Sequence, residues 1–130
     1  FNNQAVELLA PVGNFEIFKE VIHSGADAVY LGGKIFNMRM HRKDFNFTNE
    51  ELEEAIKIAH SLKKKIYITV NNLLSSYDLT QAEDYLRYLE KLGPDALIVQ
   101  DMSVIDLIRT LGLNLNKFCT SYINTYKINI

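Results

Sequence analysis

Along this chain, apolar runs of strand length alternate with segments whose apolar positions recur at helical spacing. The run "AVELLA" (5–10) reads as a buried strand that ends at Pro11 and Gly13. Asn14 then caps a helix carrying Phe15, Phe18, Val21 and Ile22 on its inner face. Ser24 and Gly25 stop that helix, and "ADAVYLGG" (26–33) supplies a second strand. Thr48 with Glu51 forms a capping box for a helix with Leu52, Ala55, Ile56, Ala59 and Leu62 facing inward. The β-branched run "KIYITVN" (65–71) is a third strand. Asp78 with Gln81 opens a helix whose inward residues are Leu79, Ala82, Leu86 and Leu89, and Gly93 follows it. "DALIVQ" (95–100) is a fourth strand, residues 103–111 a short helix ending at Gly112, and "KFCTSYI" (117–123) a fifth strand.

Two stretches echo one another: "SGADAVYL" and "LGPDALIV" share a helix end, a glycine, Asp-Ala and an apolar strand. Repeated βα units with continuously apolar strands predict an α/β fold, a parallel sheet covered by helices. A doubly wound sheet and a (β/α)₈ barrel both satisfy that pattern. The final residues, "NTYKINI", supply no closing amphipathic helix for a five-stranded doubly wound sheet. A complete barrel takes about 250 residues, and this chain has 130. The expectation is therefore a single partial domain over residues 1–130. It comprises about four and a half βα units, the N-terminal half of a TIM-type barrel, truncated.

Composition narrows the picture only modestly. With 48% hydrophobic residues, 23% charged residues and a net charge of −2, the chain has material for a core. It has no global electrostatic pull toward nucleic acid or an acidic membrane. Cys119 is the single cysteine, so no disulfide framework and no closed metal site is expected, and a reducing, cytoplasmic setting follows. No apolar run reaches membrane-spanning length and no leader pattern opens the chain. The first residue, Phe1, points to trimming or processing.

Read in order, "ELLAPVGNFEIFKEVIHSGADAVYLGG", "FNMRM", "DFNFTNEELEEAI", "IYITVNNLL" and "GPDALIVQD" resemble the N-terminal region of the peptidase U32 family, over roughly residues 7–111. That family includes collagenase-like proteases and relatives implicated in hydroxylating tRNA, ribosomal RNA and ubiquinone precursors. The resemblance implies a TIM-barrel-like catalytic region in cytoplasmic enzymes. In several members it also implies an iron–sulfur cluster on downstream cysteines that this chain lacks, so no cofactor is expected within it. The family's His-x-Ser-Thr-Gln-like stretch at strand five reads Phe118-Cys119-Thr120-Ser121-Tyr122 here, which puts that strand's role in doubt.

In a barrel, functional groups sit at the C-terminal ends of strands and in the loops that follow. That rule selects the loop at Pro11 and Gly13, the loop 32–47, Asn71 and Asn72, Gln100 and Asp101, and Ser121. Asn37 and Arg39 lie in an unusually long loop on a family motif, where Arg39 can grip a carboxylate or phosphate bidentately. Lys34, Asn37, Arg39 and Asp101 are the substrate-binding candidates, Asp101 serving equally well as a cap for the following helix. Glu7, a carboxylate inside an apolar run, is a candidate acid/base or positioning group partnered by Arg39 or Lys34, or else one half of a structural ion pair. Asn71, ending the third strand, either orients substrate or ties down the next loop. Glu7, Arg39 and Asn71 are thus the catalytic candidates.

His23, His41 and His60 show no metal-ligand spacing, and no metal site is expected. Cys119 reads as a small core residue. The cluster "RMHRK" could touch RNA phosphates, while "LKKK" reads as a solvated helix end, and no aromatic stacking motif accompanies the first. The leading expectation is the catalytic-barrel fragment of a U32 peptidase acting on protein or peptide. The alternatives are a subunit of an iron–sulfur-dependent RNA or ubiquinone hydroxylation system and an inactive half-barrel that self-associates through open sheet edges.

Overall fold

The computed structural model describes residues 6–37, 40–120 and 125–128, the side chains of residue 43 and of residues beyond 117 excepted. The strands are β1 (Leu9–Pro11), β2 (Ala28–Gly32), β3 (Lys65–Val70), β4 (Ala96–Val99), β5 (Lys117–Thr120) and β6 (Thr125–Ile128). The helices are α1 (Phe15–Val21), α2 (Asn49–Ser61), α3 (Leu79–Leu92) and α4 (Met102–Thr110), with single 3₁₀ turns at Lys43–Phe45 and Ser76–Asp78.

The strands lie in one sheet in chain order, β1 to β6. Strands β1 to β5 run parallel, and β6 returns antiparallel along β5. This order bears directly on the choice made from the sequence between two α/β folds. A doubly wound sheet reverses its strand order at a switch point, whereas a barrel wall adds each strand beside the last. The sequential order is that of a barrel wall. The antiparallel β6, formed by part of the "NTYKINI" stretch, was not expected from the sequence.

Alternation within each strand sends Val29, Leu31, Ile66, Ile68, Val70, Leu97 and Val99 to one face. There they meet Phe18 and Ile22 at α1, Leu52, Ala55, Ile56 and Ala59 of α2, Ala82, Leu86 and Leu89 of α3, and Val104, Ile105 and Ile108 of α4. The opposite face carries a smaller cluster of strand residues alone: Ala28, Tyr67, Ala96 and Ile98, with Tyr30 packed against them. Helices therefore cover one face and leave the other as an inner face, as in a barrel.

The local start signals act largely as expected. Asn14 Oδ1 accepts from the Ile17 N–H at 3.0 Å. The Thr48–Glu51 box closes with contacts of 3.1 and 2.8 Å, satisfying two otherwise orphaned N–H groups at the start of α2. Asp78 differs: it makes no cap contact to α3, and its Oδ2 accepts from Ser75 N and Oγ, each at 2.7 Å, closing the preceding 3₁₀ turn. Leu79 and Leu62, expected inward, are exposed because they lie at helix ends beyond the buried stripe. Strand β1 is shorter than the run 5–10 and two of its three residues are exposed. As the first strand of the sheet it is paired only with β2 among the described residues, which also explains why it tolerates Pro11.

The sequence echo has a structural meaning. Asp27 donates its N–H to Leu8 O (2.9 Å), and its Oδ2 accepts from Leu8 N (2.8 Å). Asp95 repeats this with Ile66, at 2.9 Å through the backbone and 2.8 Å through Oδ2. In both units the aspartate just ahead of a strand clamps the start of the preceding strand and so sets the register.

Candidate functional site

The loop after β2 is the longest connection between the described elements, and its shape begins with two glycines. A Cβ on Gly32 would stand 2.8 Å from Thr69 Oγ1 and 2.9 Å from Asn37 Cγ, so only glycine lets the loop fold back over β3. Phe36 turns the chain with a φ of 57°, a left-handed conformation costing about 1–2 kcal/mol for a residue with a Cβ. Burial holds it there: its ring packs against that of Tyr85 on α3 with centroids 5.9 Å apart, and its carbonyl accepts from Asn72 N at 3.4 Å.

That reversal drives Asn37 inward, leaving it 3% exposed. Its Nδ2 donates to Gly33 O and to Asn46 Oδ1, the latter at 3.2 Å. Asn46 in turn donates through Nδ2 to Arg42 O (2.9 Å) and Met40 O (3.3 Å). Phe47 N closes the loop on Gly32 O at 3.0 Å. Two side-chain amides thus supply from within the hydrogen bonds that a long loop would otherwise take from water.

Neighbouring strand ends join this platform. The Phe45 ring lies against Gly13, where a Cβ would come within 2.8 Å of it, and Asn14 Nδ2 donates to Asp44 O at 3.3 Å. The Arg42 guanidinium lies over the same ring, 4.2 Å from the Phe45 centroid. Beyond β3, Asn72 Nδ2 approaches Met40 Sδ at 3.6 Å. The Leu74 N–H reaches Asp101 Oδ2 at 2.9 Å, while Asp101 Oδ1 caps α4 through Ser103 N at 2.8 Å. The loops after β1, β2, β3 and β4 are therefore tied into one surface at the C-terminal ends of the strands.

The candidates from sequence divide on this surface. Lys34 is exposed at its rim, with His41 and Arg42. Asn37 lies beneath, its amide engaged in shaping the loop. Asn71 is half-buried just after β3. Asp101 has a backbone N–H on each carboxylate oxygen; burial alone would raise its pKa, but the Leu74 and Ser103 contacts outweigh it and lower the value. Arg39 and Ser121 lie outside the described residues. Glu7 does not join the group. It precedes β1 at the N-terminal end of the sheet, where Lys65 begins β3, and accepts from Lys65 Nζ (2.9 Å) and from the Tyr67 hydroxyl. Its partners are thus Lys65 and Tyr67 rather than Lys34, and burial together with this carboxylate pushes the Tyr67 phenol pKa up.

Sequence reasoning passed over Asn46, whose role depends on a partner nine residues away, and Tyr77, which the 3₁₀ turn before α3 leaves 97% exposed. No local pattern marks either. The donor set here does not suit an iron–sulfur cluster. Cys119 is the sole cysteine, and among the described residues no three His, Cys, Asp or Glu side chains converge. What the surface offers is the cations Lys34 and Arg42, the exposed Asp44 and the half-buried Asn71 and Asn72, groups that bind anions and polar edges. Among the described residues, no helix is long and apolar enough to cross a membrane.

Comparison with known proteins finds relatives over most of the chain. The chain is 42% identical over 111 residues to an uncharacterized protease of Methanocaldococcus jannaschii, covering 85% of this chain and 27% of that protein. It is 38% identical over 108 residues to tRNA hydroxylation protein P1 of Bacillus subtilis, covering 83% of this chain and 25% of that protein. It is 41% identical over 102 residues to tRNA hydroxylation protein P of Helicobacter pylori, covering 78% of this chain and 24% of that protein. The chain spans about a quarter of the length of these relatives. The profile of peptidase family U32 matches residues 13–129, and the chain belongs to that family.

Proposed function

We propose that this chain supplies part of the substrate-gripping mouth of a U32 protein that takes part in RNA hydroxylation. The observation that carries this reading is the loop after β2. Lys34, His41 and Arg42 are exposed on a backbone stiffened from below by the Asn37–Asn46 pair. The cations Lys34 and Arg42 suit a phosphate backbone, and the Arg42 guanidinium resting on the Phe45 ring presents a flat face to a base. The tRNA hydroxylation names of two relatives support the same reading. Its role is to hold RNA; the redox chemistry belongs to parts of the protein outside this chain, and the setting is the cytoplasm.

The test is mass spectrometry of nucleosides from total tRNA and ribosomal RNA of cells lacking the gene. A nucleoside carrying one added oxygen is expected to disappear and to return with the wild-type gene. An unchanged nucleoside profile would contradict this function.

A second reading, peptidase activity, is favoured by the archaeal relative named as a protease. Cleavage of denatured collagen by the full-length protein, with an unaltered nucleoside profile, would establish it instead. Self-association is supported by the β1 edge, where Val6, Leu8 and Leu9 are exposed.

A further inference from the structure

Beside the cationic rim lies a patch of another character. Leu73 is 69% exposed, Tyr77 is 97% exposed and Met102 is 59% exposed. They occupy the β3–α3 connection and the first position of α4, which the Leu74–Asp101 contact holds together. The Asn72–Met40 approach and the Asn72–Phe36 backbone bond join this connection to the loop bearing Arg42. Tyr77 itself sits in a 3₁₀ turn closed by Ser75 and Asp78, so its backbone is fixed while its ring stands in solvent. An exposed aromatic ring on a connection tied to the loop that bears Lys34 and Arg42 supplies both halves of the pairing by which proteins hold unpaired nucleotides: cations take the phosphates and a ring takes a base.

We infer that Tyr77 is a stacking platform for an unpaired base, and that the RNA held at this mouth is single-stranded, a loop or an end. This rests on the proposed RNA function and names the form of RNA that the site accepts. A continuous duplex keeps its bases stacked on one another and has none to offer Tyr77. The charge complementarity of Lys34 and Arg42 with a phosphate backbone selects a nucleic acid over an apolar partner for the patch.

The experiment uses the full-length protein and two fluorescent RNAs of equal length, one unstructured and one a perfect duplex, read by anisotropy. The wild type binds the unstructured RNA more tightly than the duplex. Tyr77→Ala weakens the unstructured RNA about tenfold, Tyr77→Phe restores it because the phenyl face is kept, and neither changes duplex binding. If the wild type binds the unstructured RNA and Tyr77→Ala leaves its affinity unchanged, the inference is overturned while the RNA function stands. It is likewise overturned if Tyr77→Ala lowers the melting temperature without touching RNA affinity, since the ring is then covered by another part of the polypeptide. If the wild type binds neither RNA, the proposed function and the inference fall together.

Discussion

The hydroxyl of Tyr85, on α3, occupies the space into which a Cβ on Gly33 would project, and it finds no hydrogen-bond partner among the described residues. Burial pushes its phenol pKa up. A buried hydroxyl without a partner keeps its desolvation cost, so Tyr85→Phe is expected to be neutral or to stabilise by up to about 1 kcal/mol. Gly33→Ala should destabilise by about 2–3 kcal/mol, since the methyl group meets that hydroxyl and approaches Leu52 Cδ1 at 3.2 Å. The double variant should recover much of the loss. Denaturation of the four proteins forms a thermodynamic cycle, and strictly additive effects would show that the contact does not exist.

Asn37→Asp tests the buried amide pair. The new carboxylate would face the Gly33 carbonyl and Asn46 Oδ1, both acceptors, in place of a donor. A loss of about 3 kcal/mol at neutral pH is expected. Such a carboxyl has a folded pKa above its unfolded value. The penalty is therefore full at neutral pH and shrinks as pH falls through the folded value. Chemical denaturation of variant and wild type at neutral and mildly acidic pH checks this, and a gap that widens toward acid would count against the assignment.

Asp101 behaves in the opposite sense. Its folded pKa is lowered, so its contribution is present above the ordinary carboxylate value and is lost as pH falls through the lowered one. Asp101→Ala should cost about 1–2 kcal/mol at neutral pH, by uncapping α4 and freeing the Leu74 N–H. The difference from wild type should be flat around neutrality. Hydrogen exchange should also speed up at Leu74 and Ser103, and unchanged protection at both would refute the role.

The paired clamps at Asp27 and Asp95 make a quantitative prediction. Removing the Asp95 carboxylate strands the N–H of buried Ile66, at about 1–2 kcal/mol. The exposed Leu8 N–H freed by removing Asp27 finds water instead and should cost under about 1 kcal/mol. Asp95→Ala should be the costlier, because Asp95 Oδ2 also takes His60 Nε2 at 2.9 Å. The two sites are about two strand spacings apart, roughly 10 Å, so their effects should add. Melting of the two single variants and the double measures this, and a large coupling would indicate a shared structural unit.

Much of the fold could be read from the chain because its signals are local. The Thr48–Glu51 box, the Asn14 cap and the alternating strands depend on residues within a turn of each other. Local pattern alone did not separate the two α/β alternatives, which differ only in which strands neighbour; the chain's length and the missing closing helix favoured the barrel wall, and the strand order agrees. For Glu7 the ion-pair alternative is the one the structure shows, but its partners and its end of the sheet were not legible, for a related reason. A carboxylate in an apolar run signals a partner, but Lys65 and Tyr67 are far along the chain, at the opposite end of the sheet from the loops. At the site, the long loop itself was legible. Asn37's amide partner and the exposure of Tyr77 were not, since each depends on how Phe36 and the Ser75–Asp78 turn redirect the backbone. The aspartate echo was visible as a repeat, and its meaning as a clamp emerged only with the preceding strand beside it.

If the loop after β2 grips RNA through its phosphates, binding must weaken with salt, and the cations of the loop must set part of that dependence. For the full-length protein and an unstructured RNA, each lost phosphate contact reduces the slope of log K against log salt by about 0.7. Lys34→Ala combined with Arg42→Ala should lower the magnitude of that slope by about 1.4 and weaken binding at low salt. A slope identical to wild type, with full affinity, would show that the loop does not hold the phosphates.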